Sequence, residues 1–89
     1  MPVSQRKFTA ADLIPGQAYR VITGFKDYDG IIHPAGETWK FLQKSFLPYE
    51  DGLSIFVEKD GRKVQFRLQW REESQGRIID GFSGFVEEL

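Results

Sequence analysis

The sequence predicts a small, mainly β domain of α+β class: an SH3-like antiparallel β-barrel with a short N-terminal helical turn and a C-terminal helix. Three observations predict it. Apolar residues alternate in four short runs, turn residues interrupt those runs at close spacing, and the apolar period changes to three and four only in the last fourteen residues.

Composition sets the limits within which these elements fit. Eighty-nine residues suffice for one domain with one core, which buries about 60–65% of the surface the unfolded chain exposes. Hydrophobic residues at 40% and charged residues at 28% are the proportions of a folding chain, not a disordered one. Residues 1–7 read as a flexible tail and residues 8–89 as a single SH3-like domain. A formal net charge of -1 gives no global attraction for polyanions, so a nucleic-acid surface would have to be local. The absence of cysteine excludes disulfides, thiol nucleophiles and thiolate metal sites. "MPVSQRKF" holds no apolar leader and the chain has no run of about eighteen apolar residues. The expectation is a cytoplasmic protein with no membrane span.

The N-terminal turn is carried by "FTAADL". Thr9 stands as helix N-cap, Asp12 follows three residues on to complete a capping box, and Phe8 and Leu13 flank it as a hydrophobic staple. Pro15-Gly16 then stops it, because proline presets φ and glycine accepts positive φ in a type II turn. "QAYRVITGF", residues 17–25, predicts a first strand with Tyr19, Val21 and Thr23 on one face. "KDYDG" breaks it, "IIH" allows a short extended piece, and "PAGE" breaks the chain again. "TWKFLQKSF" resumes with Trp39 and Phe41 in alternation before "LPYEDG" interrupts.

The tightest local specification is "GLSIFVEKDGRKVQFRLQW", a hairpin with Asp60-Gly61 as a type I′ turn. A two-residue loop sets Lys59 opposite Arg62, Glu58 opposite Lys63, Val57 opposite Val64, Ile55 opposite Phe66 and Leu53 opposite Leu68. Every apolar position then meets another on one face, and a slip by one residue would turn that face to water. Phe56 is the odd aromatic on the polar face and needs a cover. In "GRIIDGFSGFVEEL", Ile78, Ile79, Phe82, Phe85, Val86 and Leu89 follow helical spacing, which favours a helix over a final strand despite Gly81 and Gly84.

The segments "LIPGQAYRV", "DYDG", "HPAGETWKFL", "FLPYEDGLSIFV" and "FRLQW" together resemble a family of short, functionally uncharacterised bacterial domains with SH3-like character. The resemblance runs from Leu13 to about Gln75. It implies one small domain and carries no catalytic or binding residue.

Site chemistry is sparse. Asp-x-Asp-Gly at residues 27–30 invites comparison with a calcium loop, but aligning Gly30 puts Phe25 at the first ligand position and Gly36 at the last, with Glu37 one residue late. The stretch reads instead as a turn in which Asp27 or Asp29 accepts local N–H bonds. His33 with Asp29 and Glu37 has the ligand types of a transition-metal site, but one histidine before Pro34 reads as a surface or edge imidazole. No metal ligand set and no cofactor are expected. No serine sits in a nucleophile elbow beside His33, and Glu50-Asp51 and Glu72-Glu73 are adjacent pairs with no shared target, so the protein is not expected to be an enzyme.

Two binding surfaces are left. Tyr28, Tyr49 and Trp39 at loop ends, interleaved with the acids Asp27, Asp29, Glu50 and Asp51, are of the kind with which SH3-like domains hold a protein or peptide partner, and protein–protein interaction is the leading functional expectation. The alternative is a nucleic-acid face on the last hairpin strand, where Lys63, Arg67 and Arg71 form a basic stripe, with Glu58 placed to neutralise Lys63.

Overall fold

The computed structural model describes residues 7–47 and 52–89. Residues 1–6 of the expected tail and most of the "LPYEDG" interruption, Tyr49 included, lie outside the described residues. In chain order the elements are a 3₁₀ turn (Ala10–Asp12), β1 (Ala18–Val21), β2 (Phe25–Lys26), β3 (Ile32–His33), β4 (Thr38–Leu47), β5 (Gly52–Lys59), β6 (Arg62–Gln69), α1 (Glu73–Asp80), a second 3₁₀ turn (Phe82–Gly84) and β7 (Val86–Glu88).

Local signals at the two ends of the β5–β6 hairpin and at the N-terminus form as the sequence dictates. Asp60 and Gly61 take φ of 53° and 78°, the left-handed pair a type I′ turn requires. All five expected cross-strand pairs, from Lys59–Arg62 to Leu53–Leu68, are formed. Thr9 caps the first turn in a complete capping box with Asp12, and Phe8 and Leu13 are both buried. Gly16 has φ of 88° and the Gln17 N–H returns to the Ile14 carbonyl at 3.0 Å, closing the turn after Pro15.

The sheet does not close into a barrel. Its strand order is β6-β5-β4-β1-β7, with β2 and β3 as a separate two-stranded ribbon. The expected first strand over residues 17–25 is divided, because the N–H groups of Ile22 and Thr23 both turn to the Phe85 carbonyl, at 2.7 and 3.1 Å. The chain leaves the sheet after Val21 and re-enters extended geometry at Phe25, in the ribbon. The first strand is left at four residues, and the sheet stays open between its edge strands β6 and β7. Thr23 is exposed, whereas Tyr19 and Val21 face the core. A bulge at Leu42 then shifts the β4–β5 register between Phe41 and Gln43.

The C-terminal segment is both a helix and a strand. α1 begins at Glu73, earlier than the apolar spacing suggests, and ends at Asp80; the 3₁₀ turn carries Phe82 into the core, and β7 pairs with β1 through Val21–Val86. Helical spacing of three and four across residues 78–86 is thus the sum of a helix, a 3₁₀ turn with its own period of three, and the first residue of a strand. Glu72 and Glu73 lie at the start of α1. One face of the sheet, with Tyr19, Phe41, Ile55, Leu68 and Val86 each at most 1% exposed, is covered by Ile78 and Ile79 of α1, by Phe8 and Leu13, and by Phe25 of the ribbon. Among the described residues no helix is long and apolar enough to cross a membrane.

Candidate binding cleft

The ribbon is held to the sheet by one continuous polar chain. The Asp27 carboxylate accepts from the N–H groups of Asp29 and Ile31, at 2.9 and 3.0 Å, which shapes the turn between β2 and β3. Its other oxygen lies 2.8 Å from Nε2 of His33, whose Nδ1 lies 2.7 Å from Glu37; Lys59 of β5 donates to the second Glu37 oxygen at 2.7 Å. The imidazole thus bridges the two carboxylates through its two nitrogens. The ring is only 6% exposed and stands between Phe25, centroid to centroid 4.8 Å, and Phe66 at 4.5 Å.

This corrects two expectations. His33 is a buried strut and not a surface imidazole, because pairing of Phe25 with His33 turns its side chain toward the sheet. Asp27 is 2% exposed and belongs to the strut, not to an acidic loop surface. Both ring nitrogens are engaged by carboxylates, and among the described residues no histidine–acid group is arranged to hold a metal ion. Burial pushes the Glu37 carboxyl up, but the hydrogen bonds from Lys59 and His33 together outweigh it and hold it below its usual range.

Beside the strut lies a cleft of about 350 Å³. Trp39, Val57, Val64 and Phe66 supply its sheet side, Ile31 and Ile32 its ribbon side, and Glu37 and Lys59 are among its polar lining. Three of these apolar side chains reach solvent: Ile31 is 59%, Ile32 65% and Val64 37% exposed. Strand alternation would bury one of two adjacent isoleucines. Here alternation holds between exposed Ile32 and buried His33, and Ile31 precedes β3, so it buries neither isoleucine. Trp39, expected at a loop end, is instead on β4 and 4% exposed, packed against Tyr19 and Phe66 at 5.6 and 5.8 Å. Its indole N–H is buried without an acceptor among the described residues.

The remaining expected site residues fall elsewhere. Tyr28 is 44% exposed on the β2–β3 turn, as a loop aromatic should be, with the Arg67 guanidinium 5.8 Å from its ring centroid. Asp29 receives the Arg67 Nε–H at 3.2 Å on both oxygens, and that hydrogen bond outweighs burial to hold its carboxyl below the usual range. The Tyr28 N–H also donates to the Arg67 carbonyl at 2.8 Å, so the turn hooks onto the outer side of β6. The basic stripe is therefore interrupted. Arg67 is engaged by the turn, the Lys63 ammonium sits 5.4 Å from the ring centroid of half-buried Phe56, and Arg71 lies beyond the end of β6.

The geometry agrees with what comparison shows. Among solved structures, an integron cassette protein from the mobile metagenome of Vibrio cholerae aligns at 37% identity and a TM-score of 0.83, over 88% of this chain and 87% of that one. No curated protein matches the chain. The resemblance read over residues 13–75 as one to a short bacterial domain thus extends over most of the described fold, without the SH3-like closure. Residues 4–89 match the model of a domain of unknown function, DUF3601, and the chain belongs to that family.

Proposed function

We propose that this domain is a non-enzymatic binding module, and that its recognition surface is the cleft between β3 and the β5–β6 hairpin, filled by apolar side chains of a peptide segment from a protein partner. The observation that carries this reading is the convergence of Ile31, Ile32 and Val64, all solvent-exposed, on one concavity. Scattered apolar residues need no explanation, but a ring of them around a cleft is the usual mark of an interaction site. Complete burial of an isoleucine or valine side chain is worth about 1.5–3 kcal/mol, and these three, between 37% and 65% exposed, have about half of that still to gain on being covered. Tyr28 belongs to the rim in this reading, and the loop-aromatic surface expected from the sequence moves to the cleft that Trp39 helps to line.

Panning a displayed library of nine-residue random peptides against the domain tests it. Enriched peptides should carry aliphatic or aromatic anchors, and should lose binding at least tenfold with Ile32→Asp or Val64→Asp while the variants keep the wild-type circular dichroism spectrum. Peptides indifferent to both changes but lost on Tyr28→Ala would return the site to the loop aromatics and overturn the cleft.

A further inference from the structure

We propose that the segment occupying the cleft binds as an added β-strand on the outer edge of β6, and that it alternates apolar with acidic residues. This rests on the reading of the cleft as the recognition surface and adds the mode and the chemistry of the partner. β6 is an edge strand of the sheet, and its Val64 and Phe66 also form part of the cleft lining. In an antiparallel strand the N–H and C=O of one residue point to the same side. The Arg67 carbonyl points away from β5, since it accepts from Tyr28. Gln65 and Lys63, two and four residues back, must present their backbone groups on that same outer side. Among the described residues no backbone group outside the β5–β6 ladder bonds to either of them.

The turn at Tyr28 therefore uses the outer edge of β6 at Arg67 and leaves the edge from Arg62 to Phe66 as a template, a length of roughly 17 Å for five residues at strand rise. A strand laid there puts alternate side chains beside Val64, where they enter the cleft next to Ile32, and the others beside Lys63 and Gln65 on the outer face. The charge of that outer face selects among partners. Lysine on an exposed edge discourages pairing with another basic strand, and two β6 edges laid together bring Lys63 and Arg62 of each copy close to those of the other. An acidic residue beside Lys63 is favourable instead, since only Glu58, across the hairpin, offsets it on the β5 side. Main-chain bonds supply the binding mode, the cleft fixes the apolar phase, and Lys63 fixes the charge.

The probes are two blocked heptapeptides, Glu-Val-Glu-Val-Glu-Val-Glu and its lysine counterpart, titrated into the ¹⁵N-labelled intact chain. The glutamate peptide should bind at least tenfold more tightly than the lysine peptide, slow amide exchange at Lys63 and Gln65, and lose its advantage with Lys63→Glu, with Lys63→Gln intermediate. Binding that is lost on Ile32→Asp but equal for both peptides, with exchange at Lys63 and Gln65 unchanged, would overturn strand addition and leave the cleft reading standing. Failure of both heptapeptides and of every panned peptide to respond to Ile32→Asp would overturn the cleft reading and this inference with it.

Discussion

Single residues decide how the ribbon sits on the sheet, and the decisive ones are polar. Asp27, His33, Glu37 and Lys59 form a chain whose every link is 2.7–2.8 Å, most of it out of water, so loss of one member leaves a buried partner unsatisfied. Nothing in the sequence marks this chain as a unit. The carboxylates reach His33 across two separate turns, at separations of six and four residues, and only the pairing of Phe25 with His33 brings them to the same ring. Weighing His33 with Asp29 and Glu37 found one partner of the two, since Asp29 turns outward to Arg67. The strut has a pH signature. Glu37 is lowered in the folded state, so its contribution is fully present above the unfolded value near 4.5 and is lost as pH falls through the folded value. Urea unfolding between pH 7 and pH 3 should show stability declining below that point. Glu37→Gln should cost about 1–2 kcal/mol at pH 7 and make the decline shallower, whereas parallel pH profiles for the two proteins would remove Glu37 from the linkage.

At the scale of elements, legibility follows locality. The β5–β6 register was readable because Asp60-Gly61 admits only one loop length and a one-residue slip would expose Leu53, Ile55 and Phe66 together. The N-terminal turn was readable because Thr9 and Asp12 complete each other within four residues. The end of α1 was not, since its stop depends on Phe82 and Val86 finding places in a core built by distant strands. The start of α1 hides a further tertiary constraint at Gly76. Alanine in a helix interior is worth about 1 kcal/mol more than glycine, which alone would make Gly76→Ala stabilising. A Cβ there would stand 3.0 Å from the Trp70 carbonyl oxygen, an atom of the backbone that cannot rotate away. Packing outweighs propensity at this position, and Gly76→Ala should destabilise by about 1–2 kcal/mol, whereas Gly84→Ala, with nothing within 4 Å, should be close to neutral. Chemical denaturation of the two variants side by side checks the ordering, and a stabilised Gly76→Ala protein would mean that α1 shifts away from Trp70 at no cost.

For the whole molecule, the open sheet separates two surfaces that a barrel would have presented differently. The strand pattern conveyed a mainly β domain and one capped core, but barrel closure depended on a continuous first strand, and the carbonyl of Phe85 that divides it lies sixty-two residues from Thr23 in sequence. The division creates the β2–β3 ribbon, which on one side forms the cleft with the hairpin and on the other hooks Tyr28 and Asp29 onto Arg67. That hook bears on the nucleic-acid alternative. A phosphate backbone binds by neutralisation and counterion release, with an affinity that falls with salt in proportion to the phosphates contacted. Here the net charge is -1 and the central cation of the stripe already holds a carboxylate, so a phosphate must displace Asp29 before it gains Arg67. Fluorescence anisotropy with a labelled twelve-nucleotide single strand should therefore show no saturation by the wild-type chain at about 0.15 M salt, while Asp29→Ala, which frees the guanidinium, should bind more tightly at low salt. Because only two of the three stripe cations, Lys63 and Arg67, lie on the strand itself, the gain should fade with a log–log salt slope of about -1.4 or shallower, as one or two contacts to a single strand require. Saturable wild-type binding with a slope of about -2 or steeper, reduced by charge reversal at Lys63, Arg67 and Arg71 and unaffected by Ile32→Asp, would place recognition on the outer face of β6 instead of in the cleft.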